Sequence, residues 1–133
     1  MKNKQFLALD VGEKRIGVAV GDSTVRIAVP FATIDVDGSE VERIAEIAVK
    51  EQIDTIVIGY PRNQSGEPTA QTASVEQFAK RLEYVGKIVF QDESLTSVLA
   101  EQQLTAYDKP FTKADVDAQA AAIILQDYLE GLA

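Results

Sequence analysis

Three acidic residues stand where acids are costly. Asp10 ends the apolar run Phe6-Leu7-Ala8-Leu9. Glu93 ends the strand Lys87 to Gln91 (KIVFQ), which runs into Asp92-Glu93-Ser94. Asp117 shares a helical stripe with Ala114, Ala121, Ile124 and Tyr128, the stripe expected to face the core. An ionised carboxylate beside apolar residues is expensive unless it is paired or holds a cation. Held close together, the three would also repel one another. One or two magnesium ions would relieve that repulsion, and two such ions about 4 Å apart are a recurring device for phosphodiester hydrolysis. A plainer reading stays open for Asp10, which could simply begin a turn as an Asx residue. Asp115 has a plainer reading too. It sits three residues after Thr112, where an acid caps a helix and suits its dipole.

Composition narrows the chemistry. The 133 residues contain no histidine and no cysteine. Imidazole bases, the usual nucleophilic triads, disulfides and thiolate zinc sites are therefore excluded. A metal site must be built from oxygen donors, which favours magnesium, manganese or calcium. Net charge is −8, a poor prior for non-specific nucleic-acid binding, so any such binding needs a local basic rim. Lys14 and Arg15 beside Asp10, and Arg62 with Asn63 in a later loop, are the candidates for phosphate and sugar contact. On their own Lys14 and Arg15 read sooner as a solvated turn, and for Arg62 and Asn63 contact and solvation are both open. Lys80, Arg81, Lys109 and Lys113 read as solvated faces. Before Asp10 the apolar run is four residues long, too short for a signal peptide or a membrane span. A cytoplasmic protein with no membrane contact is the expectation.

The elements that must position these acids follow from the hydrophobic pattern. Two buried strands flank the charged turn within Phe6 to Asp22. Gly12 and Gly17 suit a tight turn or a close backbone approach. Val25 to Ile34 reads as a third strand, with Pro30 marking an edge or a bulge. Ser39 and Glu42 form a capping-box pattern ahead of a helix that runs to about Glu51. Asp54 to Ile58 is a fourth strand, and Gly59 to Pro68 is a loop long enough to suggest a function. An amphipathic helix through Val75 and Leu82 leads to a fifth strand over Lys87 to Gln91. Leu95, Val98 and Leu99 open a third helix, Pro110 marks a break, and Thr112 caps a last helix reaching Leu129. No linker divides the chain, so one domain over residues 1–133 is expected.

Strands four and five are each reached through a helix, so right-handed crossovers set them parallel to strand one. The result is an α/β fold: a mixed five-stranded sheet of order 3-2-1-4-5 with helices on both faces. Sites in such sheets lie beyond the carboxyl ends of the parallel strands. Asp10, the stretch Gly59 to Asn63, and Glu93 should converge there.

The same residues resemble a known family. LALDVGEKRIGVAVGD looks like the opening motif of the YqgF/RuvX family of Holliday-junction resolvases, which have the ribonuclease H-like fold. IVIGYPRNQSGEP, DESLTS and VDAQAAAIILQDYL resemble its second, third and fourth motifs, in the right order across nearly the whole chain. The resemblance implies a metal-dependent endonuclease using Mg²⁺ or Mn²⁺, with Asp10, Glu93 and Asp117 as catalytic and metal-binding acids. It favours Lys14, Arg15, Arg62 and Asn63 as substrate contacts. The family is linked to four-way DNA junctions and to the precursor of small-subunit ribosomal RNA, and cutting two strands of a junction would call for a homodimer. Two departures stand out. Ser94 replaces an arginine of the third motif, and Tyr60 and Arg62 replace apolar residues of the second. Two other classes remain. One is a non-catalytic nucleic-acid-binding module of the same fold, which loss of the acids would favour. The other is an actin-like phosphotransferase, which needs two such domains.

Overall fold

Alternation along the first hairpin decides the architecture. In the strand β1 (Gln5–Val11), Leu7 and Leu9 point to one side of the sheet while Phe6 and Ala8 point to the other. In β2 (Arg15–Asp22), Ile16 and Val18 share the side of Leu7, and Ala19 shares that of Phe6. Both faces are apolar, so both must be covered, and helices cover them. The computed structural model describes residues 3–61, 70–93, 96–107 and 110–132; the side chains at 70, 93, 96 and 97 lie outside that description.

The remaining elements are β3 (Val29–Asp35), α1 (Glu40–Lys50), β4 (Thr55–Pro61), α2 (Ala70–Arg81), β5 (Lys87–Glu93), α3 (Thr96–Ala106) and α4 (Lys113–Glu130). The sheet runs β3-β2-β1-β4-β5. β2 is antiparallel to β1 and β3, and β4 is parallel to β1 and β5. This is the ribonuclease H-like order expected from the sequence.

Two apolar layers hold the sheet. On one face, Leu7, Leu9, Ile16, Ile56 and Ile58 meet Ile44 of α1 and Val75, Phe78 and Leu82 from α2 and its end. On the other, Phe6, Ala8, Ala19 and Val57 meet Ala121, Ile124, Leu125 and Leu129 of α4. Each fully buried Leu or Ile contributes roughly 1.5–3 kcal/mol. The α4 side of the hairpin is lined by small residues, so this helix can lie close to the sheet. α3 packs on α4 through Ala100, Val116 and Ala120, outside the sheet layers.

Two local expectations are corrected. The third strand begins at Val29, not Val25, because the Asp22 carboxylate accepts from the amides of Thr24 (3.0 Å) and Val25 (2.6 Å) and holds a turn there. Gln126 of α4 then ties the following segment down, accepting from the Ala28 amide at 2.9 Å and donating to the Arg26 carbonyl at 3.0 Å. The capping box at Ser39 does not form: its hydroxyl donates to Asp37 at 2.6 Å and makes no side-chain cap bond to α1. Pro30 does sit on the edge strand, beside a register shift at Val18/Ala19.

Candidate metal and nucleic-acid site

The site is built on one glycine. Asp10, near the end of β1, lies directly across the ladder from Gly17 of β2. Asp10 is in step with Phe6 and Ala8, on the α4 side, and is half-buried. Above Gly17 runs the first turn and a half of α4. A Cβ built on Gly17 would fall 1.8 Å from the carbonyl oxygen of Asp117 and 3.0 Å from the Ala118 nitrogen. No side chain fits there, so the glycine admits the helix backbone. Asp10 and Asp117 thus flank the same residue, one in the sheet and one in the helix.

The hairpin turn and the helix start are both fixed locally. The Gly12 amide donates to the Arg15 carbonyl at 3.0 Å, which closes the turn. A Cβ at Gly12 would lie 2.7 Å from that oxygen, so this turn also excludes a side chain. α4 begins with a complete capping box. The Asp115 amide donates to the Thr112 hydroxyl (3.2 Å), and the Thr112 amide donates to the Asp115 carboxylate (2.8 Å). The Thr33 hydroxyl donates to the Ala114 carbonyl at 2.6 Å and anchors the same turn to β3. These contacts set the height and rotation at which Asp117 arrives.

Asp117 receives Arg15. The guanidinium Nε donates to the Asp117 Oδ2 at 2.5 Å, with the two side chains 33% and 22% exposed. Lys14, the neighbouring residue in the hairpin turn, is exposed. Glu93 is the last residue of β5 and pairs with Pro61 of β4. It occupies the strand position in step with Val89, which belongs to the α4-side layer, and it lies at the same end of the sheet as Asp10. Arg62, Asn63 and Ser94 lie outside the described residues.

The structure therefore brings Asp10, Arg15 and Asp117 together, sets Lys14 beside them, and aligns the backbone of Glu93 with their end of the sheet. Asp115 is exposed and spent on the cap, as its spacing from Thr112 implies. Among the described residues no group of three carboxylates is assembled around one point. The two acids at Gly17 are hard oxygen donors on one face, which suits magnesium or manganese. Sequence reasoning missed Thr33 and the pairing of Arg15 with Asp117. Gly17 was legible as a place of close approach, but nothing in the sequence names what approaches it. A cavity of about 700 Å³ lined by Tyr60, Glu76, Lys80, Phe90 and Asp92 opens elsewhere, against α2, and includes neither Asp10 nor Asp117.

The chain and its fold resemble known proteins. The chain is 41% identical over 136 residues to a Chloroflexus aurantiacus protein named "Putative pre-16S rRNA nuclease", covering 98% of this chain and 89% of that one. A Bacillus subtilis protein of the same name is 36% identical, with 96% and 99% covered. Among solved structures, Thermus thermophilus RuvC in complex with a Holliday junction substrate superposes with a TM-score of 0.56 at 13% identity, covering 95% of this chain and 93% of that one. A Fowlpox virus resolvase with its Holliday junction DNA gives 0.59 at 13% identity, covering 95% and 97%. At that identity the likeness is one of fold. The model of the RuvX family, described as Holliday junction resolvase, matches residues 4–131, and the chain belongs to that family.

Proposed function

We propose that the protein is a metal-dependent endonuclease that hydrolyses phosphodiester bonds in structured nucleic acid. The observation that carries this reading is the convergence of Asp10 and Asp117 on Gly17, with a guanidinium and an exposed lysine at the same sheet end. Asp10, Glu93 and Asp117 are the residues that would hold Mg²⁺ or Mn²⁺. When bound, such an ion supplies Lewis-acid polarisation of a phosphoryl oxygen and a nucleophile at neutral pH. The carboxylates' part is to hold the cation and to orient water for in-line attack. Lys14, Arg15, Arg62 and Asn63 would bind phosphate and sugar on either side of the scissile bond. They position the strand and carry no sequence information.

The names borne by the relatives support a precursor of 16S ribosomal RNA as a substrate, whose 5′ end is the proposed place of cutting, and the structural neighbours support four-way DNA junctions. Both are structured, phosphate-rich and cut by the same chemistry. On the first reading the protein works in the cytoplasm in ribosome biogenesis; on the second it works in DNA recombination as a homodimer, one protomer per cut strand. No helix among the described residues is long and apolar enough to cross a membrane. The test is a cleavage panel of labelled junction DNA, single-stranded RNA and ribosomal RNA precursor, with and without Mn²⁺. Metal-dependent cutting of one substrate supports the enzyme. Binding without cutting in every condition favours a non-catalytic nucleic-acid module.

A further inference from the structure

The Arg15 to Asp117 contact has the marks of a bond made to be exchanged. We propose that Arg15 is a counterion latch: it neutralises Asp117 in the metal-free protein, yields it to the arriving cation, and is released toward a substrate phosphate. This rests on the reading of Asp10 and Asp117 as metal ligands.

The geometry supports it at three points. Arg15 opens β2 two residues before Gly17, on the same sheet face, so it is the diagonal neighbour of Asp10 across the hairpin. Its guanidinium therefore spans from the strand next to that of Asp10 to the helix that carries Asp117. Second, the pair is joined by a single bond, Nε to Oδ2 at 2.5 Å, with no second bond among the described residues. It lacks the two-bond fork that makes an arginine–carboxylate pair geometrically specific and strong. Third, the Arg15 side chain is one-third exposed and water can reach it as it leaves.

Electrostatics sets the two cations against each other. A guanidinium hydrogen-bonded to Oδ2 repels a divalent cation on the same carboxylate, so each weakens the other's hold and the arriving cation favours release of the arginine. Arg15 is the partner able to swing away, since its side chain is one-third exposed. Once displaced at the hairpin tip, beside exposed Lys14, it presents a planar fork suited to phosphate. Metal and nucleic acid then help one another to bind, and the coupling is reciprocal.

The experiment is a Mn²⁺ titration by calorimetry on the full chain, without nucleic acid, comparing wild type, Arg15→Gln and Asp117→Asn. Arg15→Gln should bind Mn²⁺ about tenfold more tightly than wild type, within the usual range of coupling between sites. A merely structural arginine would weaken metal binding on removal. Asp117→Asn should lose most of the affinity. If Asp117→Asn binds Mn²⁺ as well as wild type, the metal-site reading itself fails. If Asp117→Asn loses affinity while Arg15→Gln gains none, the site stands and the latch is overturned. Arg15→Lys guards against misfolding of the glutamine variant. It keeps the charge and loses Nε, so its affinity should fall between wild type and Arg15→Gln, and an affinity at or below wild type counts against the latch.

Discussion

The backbone of Asp117 passes so close to Gly17 that a Cβ there would sit 1.8 Å from its carbonyl oxygen. One hydrogen atom in place of a methyl group thus sets where α4 begins its run over the sheet. Gly17→Ala should push the helix start outward, lower stability by about 1–3 kcal/mol or more, and uncouple Asp117 from Asp10. Gly86→Ala is the control, since a Cβ there meets only the Asp54 carbonyl at 3.7 Å, an ordinary contact. Denaturant melts of the two variants check this, and equal stability would place α4 elsewhere.

The cap of α4 gives a graded prediction. Thr112→Ala should cost about 1 kcal/mol. Asp115→Asn should cost at most about 1 kcal/mol of capping and dipole energy and leave cleavage largely intact. Paired urea melts and rate measurements separate the stability effect from any effect on the site.

Glu40 should shape the acid limb of stability. It is buried at the start of α1, and its Oε1 accepts from the Gly38 amide at 2.7 Å. Its own amide, foremost, then that of Gly38 and the charge of Arg81 hold its carboxyl below the ordinary value of 4.5, against the opposing pull of burial. A folded-state value below the unfolded one gives stability that is present above 4.5 and lost as pH falls through the folded value. Glu40→Gln should therefore be less stable than wild type at neutral pH and show a flatter decline in acid. Melting temperatures taken across pH 3 to pH 7, on the order of one reading per half unit, would show parallel curves if Glu40 were not involved.

Phosphate contacts should appear in salt dependence. Lys14→Ala and Arg62→Ala should each weaken binding of all sequences alike. Each should reduce the slope of log affinity against log salt by about 0.9 on duplex DNA and about 0.7 on single strands. Slopes identical to wild type in both variants would remove these residues from the groove.

Much of this design was legible in the chain, for identifiable reasons. Sheet order followed from two helical crossovers and their fixed hand, which local patterns suffice to reveal. Asp117 stood out because Ala121, Ile124 and Tyr128 share its stripe, and those residues do pack in the α4-side layer. Asp115 was readable as a cap because a cap is local. What escaped was decided by neighbours or by distance. Ser39 gives its side chain to Asp37 and not to a cap bond on α1, a competition among adjacent polar groups. Val25 to Ala28 left the ladder because Asp22 holds a turn and Gln126, on a distant helix, ties the segment down. The Arg15 and Asp117 pair joins residues 102 positions apart and depends on how deeply α4 settles onto Gly17.

Cleavage by the acid variants tests the proposed chemistry most directly. Wild type, Asp10→Asn, Glu93→Gln, Asp117→Asn and Asp115→Asn would be assayed on labelled ribosomal RNA precursor and junction DNA in Mg²⁺ and in Mn²⁺. Wild type and Asp115→Asn should cut at least one substrate, and the other three variants should fall to background while melting cooperatively. Loss of cutting in Asp115→Asn with retention in Asp117→Asn, or a wild type that cuts neither substrate with either metal, would contradict the assignment of Asp10, Glu93 and Asp117 as the catalytic acids.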